Sequence, residues 1–257
     1  MHPSKTVALV TGAASGLGRA AAARLAGQGA RVIIGDLPQN EASMAEAVAE
    51  LGANTCYAGV DVTQPDHVEK ALDLADTVFG EPVNCVVSCA GVAIAAKTHG
   101  KKGPHSLEDF IRVLHVNTTG TFNVARLAAA RMALREPNFD GQRGIIINTA
   151  SIAAFDGQIG QTAYAASKAA IVGMTLPLAR DLSPFGVRVM TIAPGLFRTP
   201  LLAGLPEKVQ RQLGDTVPNP KRLGEAEEFA HLVQSIVENP MLNGEVIRID
   251  GALRMSP

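Results

Sequence analysis

Short apolar runs alternate with longer amphipathic ones along almost the whole chain. The short runs fall at residues 6–10, 31–35 (ending at Asp36), 54–58, 83–88, 145–149, 186–193 and 245–250. Apolar runs of this length, without strict polar alternation, read as strands buried on both faces, as in a parallel sheet. Helical patterns lie between them: one from the first glycines to about Ala26, closed by Gly27 and Gly29, then 40–51, 65–79 with Pro65 in its first turn, 107–134, a stretch through Tyr164 towards Arg180 with Pro177 inside it, and 225–237. Regular strand–helix alternation implies an α/β fold, a single doubly wound domain over residues 1–257, with a parallel sheet of about seven strands and helices on both faces. No repeat, low-complexity tract or linker interrupts it. The segment 196–220, rich in Pro, Gly and Leu, breaks the alternation and reads as a mobile substrate lid. Residues 95–106 and 136–143 read as polar loops.

Composition narrows the partners. Hydrophobic residues make up 47% of the 257 while aromatics are 4% with no Trp, so the core must be built from Ala, Val, Leu and Ile. A formal net charge of −1 gives no basic surface for nucleic acid or an anionic membrane. Three cysteines without a Cys-x-x-Cys pair or a His cluster read as buried thiols in a reducing compartment, not as metal ligands, and no metal centre is expected. Residues 1–5 run at once into a strand pattern, which leaves no room for a signal or transit peptide, and no apolar run reaches membrane-spanning length. The expected location is cytoplasmic.

The first strand is followed by Thr11-Gly12-Ala13-Ala14-Ser15-Gly16-Leu17-Gly18 and a helix. Glycines there permit a tight turn and close backbone approach, and the helix N-terminus offers free N–H groups to a pyrophosphate. Asp36 follows Gly18 by 18 positions, at the end of the second strand. This is the setting of a dinucleotide-binding (Rossmann) unit. A carboxylate at Asp36 accepts from ribose hydroxyls and repels a 2′-phosphate, and Leu37 stands where a phosphate site would place Arg or Lys, so NAD(H) is expected over NADP(H). Arg19 is the contrary sign: it is either a solvated side chain or a phosphate contact. Asp61 has two readings, an acceptor for the adenine amine or a turn cap. Cys89-Ala90-Gly91 closes the fourth strand with residues small enough for a cofactor to pass.

The second candidate is the stretch 151–168. Tyr164 and Lys168 are four apart with Ala165, Ala166 and Ser167 between them, so on a helix phenol and ammonium share a face. Ser151 ends an apolar strand, where open α/β sheets bind ligands. Tyrosine ordinarily titrates near ~10, and a neighbouring cation brings the phenolate closer to neutrality. By itself the spacing also describes a half-buried Tyr beside a solvated Lys. Asn117, in the middle of the 107–134 pattern, is a poor mid-helix residue that is either incidental or exploits a disrupted backbone. Lys97, Lys101 and Lys102 make 95–106 a basic loop, either merely solvated or a contact for an anionic substrate tail.

With these residues in place, the chain resembles the short-chain dehydrogenase/reductases over essentially its whole length. The resemblance rests on the glycine turn, Asn117, Ser151, Tyr164-x-x-x-Lys168 and Pro194-Gly195 in family order. It implies Tyr164 as general acid–base, Ser151 holding the substrate oxygen, Lys168 on the nicotinamide ribose, and Asn117 holding a relay water. It implies cofactor contacts from Gly12, Ser15, Gly16, Leu17, Gly18, Asp36, Asp61, Val62, Cys89, Ala90, Gly91, Tyr164, Lys168, Pro194, Gly195, Phe197 and Thr199. One departure is Cys89, where the family usually has Asn before Ala-Gly.

Runs outside the shared motifs, among them Ala96-Lys97-Thr98, 142–151, 189–197, Glu238-Asn239-Pro240 and 242–248, are similar to those of type-2 3-hydroxyacyl-CoA dehydrogenases. That group includes a mitochondrial enzyme also described as a 17β-hydroxysteroid dehydrogenase of type 10. The resemblance implies NAD-dependent interconversion of 3-hydroxyacyl-CoA and 3-oxoacyl-CoA in fatty acid metabolism, tolerance for steroids and other secondary alcohols, and a homotetramer. The apolar last strand and its flanking helix are expected to supply the interface. Gln158 and Gln161 are candidates for bonds to the thioester side, and the three loop lysines for the CoA phosphates. The alternatives are a steroid or simple-alcohol dehydrogenase, a 3-oxoacyl-carrier-protein reductase, and a non-catalytic NAD-binding scaffold.

Overall fold

The computed structural model describes residues 1–257 except Lys102 and Leu205 and the side chains of Leu201 and Ala203. Its strands are β1 (Val7–Thr11), β2 (Arg31–Asp36), β3 (Thr55–Gly59), β4 (Cys85–Ser88), β5 (Gly144–Thr149), β6 (Val187–Pro194) and β7 (Val246–Ile249). They form one sheet in the order β3-β2-β1-β4-β5-β6-β7, every pairing parallel. The strand order reverses between β1 and β4, so a crevice opens beyond their carboxyl ends, where such sheets take ligands. A single doubly wound domain is what the alternation predicted.

Helices α1 (Gly16–Gly27), α2 (Glu41–Leu51), α3 (Pro65–Phe79), α4 (Leu107–Leu114), α5 (Thr121–Met132), α6 (Thr162–Leu182), α7 (Pro200–Ala203), α8 (Glu207–Asp215) and α9 (Ala226–Glu238) cover the sheet. Alternate side chains of the strands feed two cores. Ala8, Val10, Ile34, Ile145 and Ile147 pack with Leu25 of α1, Met44 of α2 and Phe229 of α9. Val7, Leu9, Ile33 and Ile146 pack on the other face with Leu72 of α3 and Val124 and Met132 of α5. Helix α9 opens with a reciprocal capping box between Glu225 and Glu228, which satisfies two of its free N–H groups.

Two elements differ from expectation. The predicted single helix 107–134 is broken: α4 and α5 are joined by a π-helical turn, His115–Gly120, with Asn117 fully buried inside it. The Asn117 side chain is drawn to partners outside this helix, the backbone of Val92 and Ser167 Oγ. The segment 196–220 is not featureless, since it contains α7 and α8. Its base is stapled where Phe197 bridges Gly224, with Gly224 N–H bonded to the Leu196 carbonyl at 2.8 Å and Arg198 N–H to the Gly224 carbonyl at 2.8 Å. The loop 95–106 carries a minimal hairpin, His99–Gly100 against Gly103–Pro104. Its Lys102 lies outside the described residues.

Candidate active site

Strand β5 ends at Thr149 and delivers Ser151 in extended conformation at the head of a single 3-10 turn. Ser151 Oγ accepts from the Ala153 N–H at 3.1 Å, which leaves its own proton free to be donated. Tyr164, on the first turns of α6, has its phenol beside this hydroxyl, close enough for Ser151 to favour the phenolate. One turn further on, Lys168 is buried, with Nζ donating to the Thr149 carbonyl at 2.8 Å and lying 5.7 Å from the centre of the Tyr164 ring. The sequence spacing therefore brings phenol, hydroxyl and ammonium together.

Burial dominates their electrostatics. Burial pushes the Tyr164 phenol above its ordinary value of 10.0, and the Ser151 hydroxyl beside it pulls the other way. The Lys168 ammonium is turned to the Thr149 carbonyl, and burial disfavours its charge. Burial brings Lys168 down from 10.5 to about 8. The Cys89 thiol, 3.3 Å from Thr149 Oγ1, is pushed up by burial to about 11 and stays neutral. Cys89 therefore fills the position where the family usually has Asn with a weak polar contact.

Asn117 has both ends of its amide bonded. Its Oδ1 accepts from Val92 N–H at 2.8 Å, and its Nδ2 donates to the Val92 carbonyl at 2.8 Å and to Ser167 Oγ at 2.9 Å. Ser167 passes its own proton to the Tyr164 carbonyl at 2.7 Å. Ser167 and the Thr149 carbonyl were missed from the sequence. A serine buried in mid-helix next to Lys168 was the available signal for the first, while a backbone acceptor leaves none.

The glycine turn is shaped for a close ligand. Gly12 has φ +68°, and a Cβ there would stand 2.6 Å from the Ala90 nitrogen, so β1 and β4 meet with no room for a side chain. A Cβ on Gly18 would collide with the Gly12 carbonyl oxygen. Ser15 makes no side-chain cap and the first turn of α1 carries no acidic residue, which leaves N–H groups of Gly16, Leu17 and Gly18 for an anion. Thr199 and Pro200 lie across from Gly16, within 4 Å of where a Cβ would be. Asp36 Oδ2 accepts from Ala14 N–H at 2.9 Å, and Oδ1 from Leu37 N–H and Asn40 Nδ2. These donors hold the carboxylate at the crevice and leave one lone pair, on Oδ2, for a ribose hydroxyl. Arg19 is neither solvated nor free: it donates to the Ser43 carbonyl and pairs with Glu50 at 2.6 Å.

The other predicted contacts divide. Asp61 Oδ1 caps a turn, accepting from Thr63 N–H at 2.9 Å and Thr63 Oγ1 at 2.7 Å. Val62 is buried, and its carbonyl accepts from Asn123. Pro194 ends β6, Gly195 donates to the Ile249 carbonyl, and the Phe197 side chain is buried in the core, which leaves mainly its backbone to meet a cofactor. Gln161 Oε1 accepts from Gln158 N–H within the loop, while Gln158 Nε2 reaches across to the Ser256 carbonyl in the C-terminal tail. Lys97 and Lys101 are exposed. Among the described residues no His, Cys, Asp or Glu cluster could hold a metal ion, and no helix is long and apolar enough to cross a membrane.

Comparison with known proteins agrees with this geometry. The chain is 61% identical over 253 residues to a 3-hydroxyacyl-CoA dehydrogenase type-2 of Drosophila melanogaster, covering 98% of both chains. A crystal structure of 3-hydroxyacyl-CoA dehydrogenase type-2 from Mycobacterium avium superposes with a TM-score of 0.93 at 39% identity, covering 98% of this chain and 96% of that one. A 3-ketoacyl-(acyl-carrier-protein) reductase from Brucella melitensis, complexed with NADH, has a TM-score of 0.85 at 26% identity, covering 98% and 99%. Residues 6–210 match the family model described as short chain dehydrogenase. Fold, glycine turn and the Ser151–Tyr164–Lys168 cluster thus converge with sequence similarity, and the chain belongs to the short-chain dehydrogenase family.

Proposed function

We propose that the protein is an NAD(H)-dependent 3-hydroxyacyl-CoA dehydrogenase. The observation that carries this is the gathering of Ser151, Tyr164 and buried Lys168 at the end of β5, in a chain 61% identical over nearly its full length to a type-2 3-hydroxyacyl-CoA dehydrogenase. In the oxidative direction Tyr164 takes the proton of the substrate hydroxyl, and Ser151 donates to the same oxygen as its charge develops. The bound nicotinamide supplies the hydride acceptor. Lys168 holds the ribose and, once its ammonium turns from Thr149 towards the phenol, favours the phenolate. Asn117 keeps a lone pair on its backbone carbonyl beyond the bond from Thr121 Oγ1, and through it holds a relay water.

The choice of NAD(H) rests on Asp36 and on Arg19. The first would repel a 2′-phosphate, and the second is already paired with Glu50. The segment 196–220 serves as substrate lid, and the exposed Lys97 and Lys101 are the cations available to the CoA phosphates. Assembly is a homotetramer using the open edge of β7, whose residues Val246–Ile249 are all partly exposed. The test is NADH oxidation with acetoacetyl-CoA set against a steroid ketone and a carrier-protein thioester, each repeated with NADPH. Acetoacetyl-CoA with NADH should be fastest. Faster turnover with NADPH at equal subsaturating concentration would overturn the cofactor choice, and preference for the carrier-protein thioester would overturn the substrate.

A further inference from the structure

The residues after β7 do not run off into solvent. Gly251 and Ala252 have φ of +58° and +68°, and Ala252 is the only non-glycine among the described residues with positive φ. A residue with a Cβ takes that conformation only where its surroundings impose it. Asp250 does so here: its Oδ1 accepts from Ala252 N–H at 3.0 Å and its carbonyl from Leu253 N–H at 3.1 Å. The turn sends the chain back over the end of β5. Leu253 is buried against Ile152, the neighbour of Ser151, and against Val217, with Met255 and Leu196 packed on the same cluster.

Arg248 of β7 ties this hook to the connection between Ser151 and Tyr164. Its Nη2 donates to Asp156 Oδ2 at 2.6 Å and to the Leu253 carbonyl at 2.9 Å, its Nε donates to Asp250 Oδ2 at 2.7 Å, and its guanidinium lies 5.1 Å from the centre of the Phe155 ring. Only a guanidinium presents donors in that fixed fork and a face for stacking. Gln158 adds its bond to Ser256. The middle of the connection, at Phe155, Asp156 and Gln158, is therefore gripped from β7 and the hook, while its ends are set by β5 and α6. The Arg248 guanidinium holds the Asp156 carboxyl below its ordinary range, as expected for a lasting contact.

We propose that the Arg248–Asp156 pair and the hook at residues 251–255 form a strap that positions Ser151 against Tyr164, and that Leu253 and Met255 limit the space for the substrate's chain between the connection and the segment 196–220. Arg248 and Asp156 are positioning residues; Leu253 and Met255 determine specificity. The chain-length half rests on the acyl-CoA reading above, whereas the strap does not.

Two measurements on the full-length protein separate these halves. In Asp156→Asn, amide hydrogen exchange across residues 152–161 should rise roughly tenfold, with the Michaelis constant for acetoacetyl-CoA also up roughly tenfold. NADH affinity should stay within about twofold, because the glycine turn is remote from the strap. Arg248→Lys, which keeps the charge and loses the fork, should show the same pattern more weakly, and serves if Asp156→Asn fails to fold. Asp156→Glu should restore part of the protection. Met255→Ala should shift the ratio of kcat/KM for long against short 3-oxoacyl-CoA roughly threefold or more towards long chains. Unchanged exchange at 152–161, or a parallel loss of NADH affinity, would overturn the strap, and an unchanged chain-length ratio would overturn the pocket role. If the wild type reduces another ketone but no 3-oxoacyl-CoA, the substrate reading falls and the exchange experiment still decides the strap.

Discussion

Gly12 and Gly18 stand where no side chain fits, whereas Phe155, Asp156 and Gln158 are held by what their side chains reach. In the cofactor half, β1, α1 and β4 approach so closely that an added Cβ would meet backbone atoms, which cannot move aside. Its carboxylate, Asp36, is held by donors no more than 22 positions away, at Ala14, Leu37 and Asn40. In the substrate half, tethers span the chain: Arg248 reaches back to Asp156, and Gln158 reaches forward to Ser256. Steric exclusion makes a site that accepts one ligand shape. Tethered loops can be retuned residue by residue, as a pocket that sets substrate choice requires.

The largest effect should come where the halves meet. Tyr164→Phe is expected to lower kcat by about 100- to 10,000-fold while NADH binding, followed by fluorescence, stays close to wild type. Residual turnover near the wild-type rate would remove Tyr164 from the chemistry and blur the boundary between the halves.

Lys168 offers the next test, through pH. Its folded value of about 8 lies below the ordinary 10.5, so the charged form is penalised in the ligand-free protein. That penalty is fully present below pH ~8 and fades as pH rises to ~10.5, where folded and unfolded chains are both neutral. Lys168→Met should therefore stabilise the ligand-free protein at pH 7, by at most about 3 kcal/mol less the cost of the lost bond to Thr149. The gain should shrink between pH 8 and 10.5 as activity is lost at every pH. Urea denaturation at pH 7 and pH 10 checks it, and a gain that grows with pH would contradict the burial argument.

Paired glycines in α1 probe the steric half alone. Gly18→Ala should cost about 1–3 kcal/mol and weaken NADH binding, because the new methyl meets the Gly12 carbonyl. Gly27→Ala, exposed in the last turn of the same helix with nothing within 4 Å of the added carbon, should instead gain up to about 1 kcal/mol. Thermal melting of both variants measures the contrast, and two losses of similar size would mean that helix propensity, not crowding, governs this turn.

How much of this was legible beforehand follows from the reach of each interaction. Strand–helix alternation, the glycine turn with Asp36, and the Tyr164–Lys168 spacing are patterns within one or two elements, set by the periods of strand and helix and by the absence of a Cβ. The sequence by itself therefore determined the doubly wound fold, the crevice at the glycine turn and the face of α6 that Tyr164 and Lys168 share. The π turn around Asn117 was visible only as an awkward residue, because what breaks the helix is a partner, Val92, that propensity does not include. The pairing of Arg19 with Glu50, the seclusion of Phe197 and the upward shift of Tyr164 were decided by packing between elements. So was the strap: Asp156 and Arg248 are 92 positions apart, and no local pattern pairs an acidic loop residue with an arginine on the last strand. Only the tertiary structure, which lays β7 beside β6 and turns the chain back at Ala252, brings them within hydrogen-bonding distance.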